Sequence, residues 1–215
     1  MLNILFVTDF VCPYCLVAKE ALRQALLETG MEAEILIQPL ELTEEPKERV
    51  DTYHDETRKA RYQILTEPAK QLGLDMKLPP AVVPRPYTRL AFEGWYFARE
   101  KGLGEEYSDL MYRAYFMEEK DIGDPEVLTE LAKRIGLDPE EYRNALLAGT
   151  WTKQEKEEVS YSKDVLKVRG IPSIYINGKK IALQTYTKEE MVAILTQQAE
   201  GSDEGGFCCG PDGCN

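Results

Sequence analysis

A single histidine, His54, stands in the 215 residues. That scarcity removes Ser–His and most Cys–His nucleophile schemes, and every metal site built on several imidazoles. Positive charge is short as well: 26 Lys+Arg face 38 Asp+Glu, for a formal net charge of −12. Such an excess of carboxylates repels phosphate backbones, so nucleic acid is not an expected partner. No apolar run approaches the ~20 residues that span a bilayer, so a membrane is not an expected partner either. The opening Met1–Val7 carries no basic leader and too short an apolar stretch for a secretory signal. It reads as a buried strand, and the expected location is the cytoplasm, where thiols stay reduced. Five cysteines in that setting point to reactive or metal-binding thiols, and an odd number cannot all pair within one chain.

What is present divides by hydrophobic period. Ile4–Val7 predicts a buried strand, and a helix follows from about Pro13 to Glu28. Leu16, Ala18, Leu22, Ala25 and Leu26 supply its apolar face, and Gly30 ends it. Glu34–Leu40 predicts a second strand, parallel to the first as in any βαβ unit. Residues 41–149 then read as mostly helical, with helices over Glu56–Leu72, Tyr87–Lys101 and Glu105–Met117. Asp124-Pro125 and Asp138-Pro139 each join an N-cap to a first-turn proline. The proline-rich Lys77–Pro86 predicts an extended connector. A further helix is expected around Gln154–Val168, then a strand over Ile171–Ile176. Asn177-Gly178 marks a hairpin and Lys179–Leu183 the returning strand. Thr187–Glu190 is a capping box opening a last helix to about Ala199. Neither the β-α-β start nor the β-β-α end can bury its own sheet faces. Together they predict one four-stranded sheet in an α/β domain split by a helical insertion.

Cys12-Pro-Tyr-Cys15 falls at the strand-to-helix turn of the first unit. A helix N-terminus presents unpaired N–H groups and the positive end of the dipole, and both favour a thiolate. Thiols of C-x-x-C motifs at helix starts titrate at about 3.5–7.5, against about 8.5 for a free cysteine. Cys12 lies outside the helix and is the expected nucleophile; Cys15, one turn in, is the expected resolving thiol. A zinc site would need four ligands, and the other three cysteines all lie near the C-terminus, so no metal is expected at Cys12 and Cys15. Gly170-Ile-Pro-Ser-Ile174 is the second signature, a proline set just ahead of a strand.

Together these residues resemble the DsbA-like branch of the thioredoxin superfamily. The chain is most similar to the FrnE-type dithiol–disulfide oxidoreductases, relatives of 2-hydroxychromene-2-carboxylate isomerase. Asp9–Cys15, Pro86–Ala91, Asp121–Leu128 with Gly136–Asp138, and Gly170–Ile174 carry the resemblance. It implies a thioredoxin-like fold in two parts, 1–45 and 153–199, separated by a helical insertion over 46–152 and followed by a Cys-containing tail over 200–215. It also implies a cis Pro172 packed against the cysteine pair, with Ile171 binding extended substrates through its backbone; Pro13 and Tyr14 are expected to touch substrate too. Tyr14 stands where this branch often has Trp, and Ala182-Leu-Gln184 where it often has Gly-Ala-Gln. The expected activity is thiol–disulfide exchange, oxidoreductase or isomerase, on protein or peptide thiols and disulfides. No cofactor beyond the dithiol is expected, and glutathione is a candidate redox partner. One alternative is a glutathione-dependent isomerase or transferase, although those relatives usually carry Ser in place of the first cysteine.

Cys208, Cys209 and Cys214 crowd the last eight residues. They read as a second redox pair, as a soft-metal or arsenical site, or as an incidental tail. The other alternative function is therefore a thiol protein that binds metal or arsenic through this tail. His54, in an acidic stretch, reads as a solvated surface residue. Trp95-Tyr96-Phe97 and Tyr112, Tyr115 and Phe116 read as core of the insertion, with some able to line the groove above Cys12. Lys153–Glu158 reads as a solvated helix face laced with i,i+4 pairs.

Overall fold

The computed structural model describes residues 1–203, with side chains as far as Ala199. The tail cysteines Cys208, Cys209 and Cys214 lie outside the described residues. The sheet has four strands in the order β2-β1-β3-β4. Strand β1 (Leu2–Thr8) pairs in parallel with β2 (Ala33–Pro39), from Leu2↔Ala33 to Thr8↔Pro39. On its other side β1 runs antiparallel to β3 (Ser173–Ile176), with Val7 opposite Ser173 and Ile4 opposite Ile176. The ends of the chain thus share one sheet, as the two incomplete halves require. Strand β4 (Lys179–Ile181) returns from β3 across a hairpin in which Asn177 (φ 50°) and Gly178 (φ 79°) are both left-handed. That geometry matches the twist of the paired strands and suits Asn-Gly.

Helix α1 (Pro13–Thr29) connects β1 to β2 and ends at Gly30 in the left-handed region. Its Val17, Ala18, Ala21, Leu22 and Ala25 are buried, so one face packs inward while Arg23 and Glu28 stay wet. The expected helix over 56–72 is broken into α2 (Glu56–Tyr62), a 3₁₀ turn (Gln63–Leu65) and α3 (Thr66–Gln71). Pro68 explains the break: its ring clashes with the preceding turn, and it has no N–H to give that turn. Helices α4 (Arg89–Glu100), α5 (Gly104–Phe116), α6 (Pro125–Arg134) and α7 (Pro139–Leu147) follow. The Asp124 and Asp138 side chains cap α6 and α7 by accepting Glu126 N–H (2.8 Å) and Glu141 N–H (2.7 Å). Helix α8 (Thr152–Ser160) runs into a π-helical turn (Tyr161–Val165) and lies along the end of β2, where Gln38 donates to the Glu158 carbonyl and Ser162 to the Pro39 carbonyl. Helix α9 (Lys188–Asp203) packs on α1. It runs four residues past the expected end at Ala199; a single glycine, Gly201, costs a helix only about 1 kcal/mol.

Buried side chains from the sheet, α1 and the intervening helices form one continuous cluster. Its tyrosines are tightly fitted. Tyr107 and Tyr142 share a 2.6 Å hydroxyl–hydroxyl hydrogen bond directly over Gly94 of α4. A Cβ on Gly94 would strike both hydroxyls and sit 2.8 Å from Tyr142 Cζ. Gly94→Ala should therefore cost at least about 3 kcal/mol, lowering the melting temperature by about 6 °C or more. A thermal melt that moves by less would mean the two rings have room to retreat.

Candidate active site

Strand β1 delivers the chain to a tight turn. Thr8 ends the strand, the Cys12 N–H donates to the Asp9 carbonyl (3.0 Å), and Cys12 becomes the N-cap of α1 with extended φ and ψ. Its carbonyl then accepts Cys15 N–H (3.1 Å) and Leu16 N–H (3.3 Å), so the dithiol turn and the first helical turn are one unit. Pro13 sits in that first turn, where a missing N–H leaves nothing unpaired. Both thiols are free, and both are buried: Cys15 is 0% exposed and Cys12 only 4%. Cys12 is thus more enclosed than its place at an open helix end implies.

The Cys12 thiol points at the Ile171 carbonyl, 3.9 Å away, and the Ile171–Pro172 peptide bond is cis. Ile171 and Pro172 are half-buried and precede the ladder of β3, which begins at Ser173 because a proline cannot donate to it. Burial pushes the Cys15 thiol well up from its ordinary range, and its contact with Cys12 adds to this; the Thr8 hydroxyl and the Asp9 backbone pull the other way. Thr8 is fixed by a short hydrogen bond to Tyr112, whose hydroxyl also lies in the field of Cys15. Of the aromatics expected in the insertion core, Tyr112 therefore lies close to the cysteines.

Three features escape a linear reading. Tyr14 meets two distant rings, Tyr62 of α2 (centroids 6.2 Å apart) and Tyr186 ahead of α9 (5.5 Å). Tyr14 also donates to the Arg61 carbonyl (3.0 Å). Behind the dithiol, buried Asp9 accepts the Leu42 N–H (2.7 Å) and faces the buried Arg85. Burial raises the Asp9 carboxyl above its ordinary range despite those partners. Next to it, Glu41 of the loop after β2 and Glu155 of α8 form a buried carboxyl pair. Desolvation first, then Glu155, Asp9 and Glu44, push Glu41 up to about 9; desolvation, with Glu93 and Glu44, raises Glu155 to about 7, while Glu41 and Arg89 pull it the other way. This corrects the reading of Lys153–Glu158 as wholly solvated. Lys153 and Glu157 do form an exposed pair, but Glu155 is 0% exposed because α8 must turn one face onto β2 and α4. His54 is exposed and pairs with Asp51, as its acidic surroundings suggest.

A sheet ordered β2-β1-β3-β4, with a dithiol at the first helix N-terminus facing a proline ahead of β3, defines a thioredoxin-like α/β protein carrying a helical insertion. The chain belongs to the DSBA-like thioredoxin domain family, whose model matches residues 3–192. It is 33% identical over 175 residues to the uncharacterized protein YwbO of Bacillus subtilis, covering 81% of this chain and 86% of that one. Its fold is similar to that of a probable DsbA oxidoreductase of Streptomyces coelicolor (TM-score 0.77, 24% identity, 100% and 99% coverage). It is also similar to the cytosolic disulfide reductase DsbM of Pseudomonas aeruginosa in its structure with GSH (TM-score 0.68, 17% identity, 92% and 99% coverage). A 2-hydroxychromene-2-carboxylate isomerase shares the fold as well (TM-score 0.71, 14% identity, 94% and 97% coverage). Among the described residues, no helix is long and apolar enough to cross a membrane.

Proposed function

We propose that this protein is a dithiol–disulfide oxidoreductase or isomerase acting on protein and peptide substrates, with Cys12 as nucleophile and Cys15 as resolving thiol. The observation that carries the reading is the free Cys12–Cys15 pair at the N-terminus of α1, set against Ile171 and the cis Pro172. In reduction, the Cys12 thiolate attacks a substrate disulfide and one substrate sulfur leaves as thiolate, taking up a proton. Cys15 then loses its proton and attacks the Cys12 sulfur. The second substrate thiol departs, and a Cys12–Cys15 disulfide remains. Two electrons and two protons pass to the substrate in all, and oxidation is the same sequence reversed.

The surroundings of Cys15 suit this order of events. Burial and Cys12 hold its proton while Cys12 is the free nucleophile. Once Cys12 is tied up in a mixed disulfide its contribution ends. The Thr8 hydroxyl and the Asp9 backbone then offset part of the burial that still opposes a Cys15 thiolate. The Ile171 carbonyl lies 3.9 Å from the Cys12 sulfur, so Ile171 and Pro172 would bind the substrate backbone beside it; half-buried Tyr14 is open to substrate, whereas Pro13 is buried in the first turn. No cofactor beyond the dithiol is required. A cytoplasmic location, with reduction or isomerisation as the working direction and glutathione as redox partner, fits a relative in fold that is a cytosolic disulfide reductase solved with GSH.

The test is redox equilibration against glutathione buffers. It is run on the full-length chain and on a chain with Cys208, Cys209 and Cys214 replaced by serine. A reversible Cys12–Cys15 disulfide in both supports the reading. A disulfide that needs the three distal cysteines overturns it in favour of the tail as the reactive site. Activity that requires glutathione yet survives Cys15→Ser overturns it in favour of isomerase or transferase chemistry.

A further inference from the structure

Cys12 is 4% exposed, so a substrate sulfur must pass the side chains around it. One of these comes from an unexpected place. Strand β4 stops at Ile181, two residues short of the sequence pattern, and the chain turns back toward the dithiol. The turn is held by one side chain. The Glu190 carboxylate accepts the backbone N–H groups of Gln184 (2.6 Å), Thr185 (2.9 Å) and Tyr186 (2.9 Å), and the Thr185 hydroxyl (3.0 Å). Its own N–H donates to the Thr187 hydroxyl (3.2 Å). An ordinary capping box would spend this glutamate on the N-cap amide alone. Here it gathers the three amides before the cap.

These bonds hold Tyr186 at φ 56°, a left-handed conformation that a bulky side chain adopts only when its surroundings impose it. The result is a ring placed 5.5 Å from that of Tyr14, between the two cysteines in sequence. Tyr62 meets Tyr14 edge-on, with centroids 6.2 Å apart. The hydroxyls of Tyr14, Tyr62 and Tyr186 all lie in the field of the Cys12 sulfur. All three rings are only partly buried, so each keeps a face for a visitor. The same sulfur lies 3.9 Å from the carbonyl of the apolar, half-buried Ile171, next to half-buried Pro172.

Building on the dithiol-exchange reading, we propose that Tyr186 is a specificity-determining residue that, with Tyr14 and Tyr62, selects disulfides bearing an aromatic or similarly flat apolar side chain beside the reacting cysteine. Glu190 is its positioning residue. Aromatic rings prefer offset or edge-to-face partners, which a three-ring lip around a recessed sulfur provides and a charged or glycine neighbour does not exploit.

The probes are two homodisulfide peptides, Gly-Phe-Cys-Gly and Gly-Gly-Cys-Gly, reduced by the full-length protein with glutathione as electron donor. The readout is the ratio of kcat/KM for the Phe peptide over the Gly peptide. Wild-type protein should favour the Phe peptide. Tyr186→Ala should lower the ratio about 5–10-fold and Tyr186→Phe should keep it within about twofold, because the ring face carries the contact. Glu190→Ala should lower the ratio like Tyr186→Ala, with the loss in KM for the Phe peptide. A role confined to stability would move both peptides alike. A wild-type ratio near one, or an equal loss for both peptides in Tyr186→Ala, overturns the inference and leaves the exchange reading standing. Wild-type protein that reduces neither peptide overturns the exchange reading, and the inference falls with it.

Discussion

Cys15→Ser should accumulate a mixed disulfide on Cys12, visible by mass as one substrate chain added per protein. Steady-state exchange should fall by about 10³-fold or more in Cys12→Ser, because a serine hydroxyl is not ionised at neutral pH and forms no disulfide. The two variants separate the roles. With Cys12 intact and Cys15 gone, attack still occurs and resolution does not. With Cys12 gone, the Cys15 thiol is 0% exposed and held in its protonated form by burial, so it should also resist alkylation in the folded protein. Unfolding in denaturant should restore its reactivity. Rapid labelling of native Cys12→Ser at Cys15 would show that the assignment of nucleophile is reversed.

Stability should fall as pH rises from about 5 to about 9, and Glu41→Gln should remove much of that fall. Glu41 and Glu155 bind protons in the folded protein up to about 9 and about 7, while the unfolded chain releases them near 4.5. Between those limits the folded state holds more protons than the unfolded state, so raising the pH favours unfolding. Stability contributed by the pair is present in full below pH 4.5 and drains away as each folded carboxyl ionises. Asp9, Glu44 and Glu93 add like charge nearby, and Arg89 offsets part of it. A glutamine imitates the protonated carboxyl at every pH. The melting temperature of Glu41→Gln should match wild type near pH 5 and exceed it by about 6–10 °C near pH 9, corresponding to roughly 3 kcal/mol. Identical pH profiles for the two proteins would mean that the buried acids are ionised together at no cost. Glu41 and Asp9 adjoin through Leu42, whose N–H the Asp9 carboxylate accepts, so the same titration reaches the turn that carries Cys12.

Features legible in the sequence share a physical character: each is set within a few residues. The strand-to-helix turn at Cys12 needs only its own backbone and a first-turn proline. Asp124 and Asp138 cap the helices they precede, and Asn177-Gly178 closes its hairpin with two left-handed residues. The break at 63–65, in what the sequence pattern presents as one helix over 56–72, also has a local cause in Pro68. Misreadings arose where a distant partner changed what a local pattern does. Lys153–Glu158 is charged enough to look solvated throughout, but α8 has to present a face to β2 and α4, and Glu155 is on it. Thr187–Glu190 does form a cap, yet its glutamate is drawn to the amides of 184–186 because β4 has already ended.

By itself the sequence determined the fold class, the pair of thiols and their place at a helix N-terminus, because short-range propensity and hydrophobic period suffice for these. Only the tertiary structure decided that Cys12 is recessed, that Tyr62 and Tyr186 each meet Tyr14, and that Glu41 finds Glu155. Those contacts join residues about 50 to 170 positions apart. Chain closure over such distances is set by how the whole core packs, which no local pattern of residues encodes.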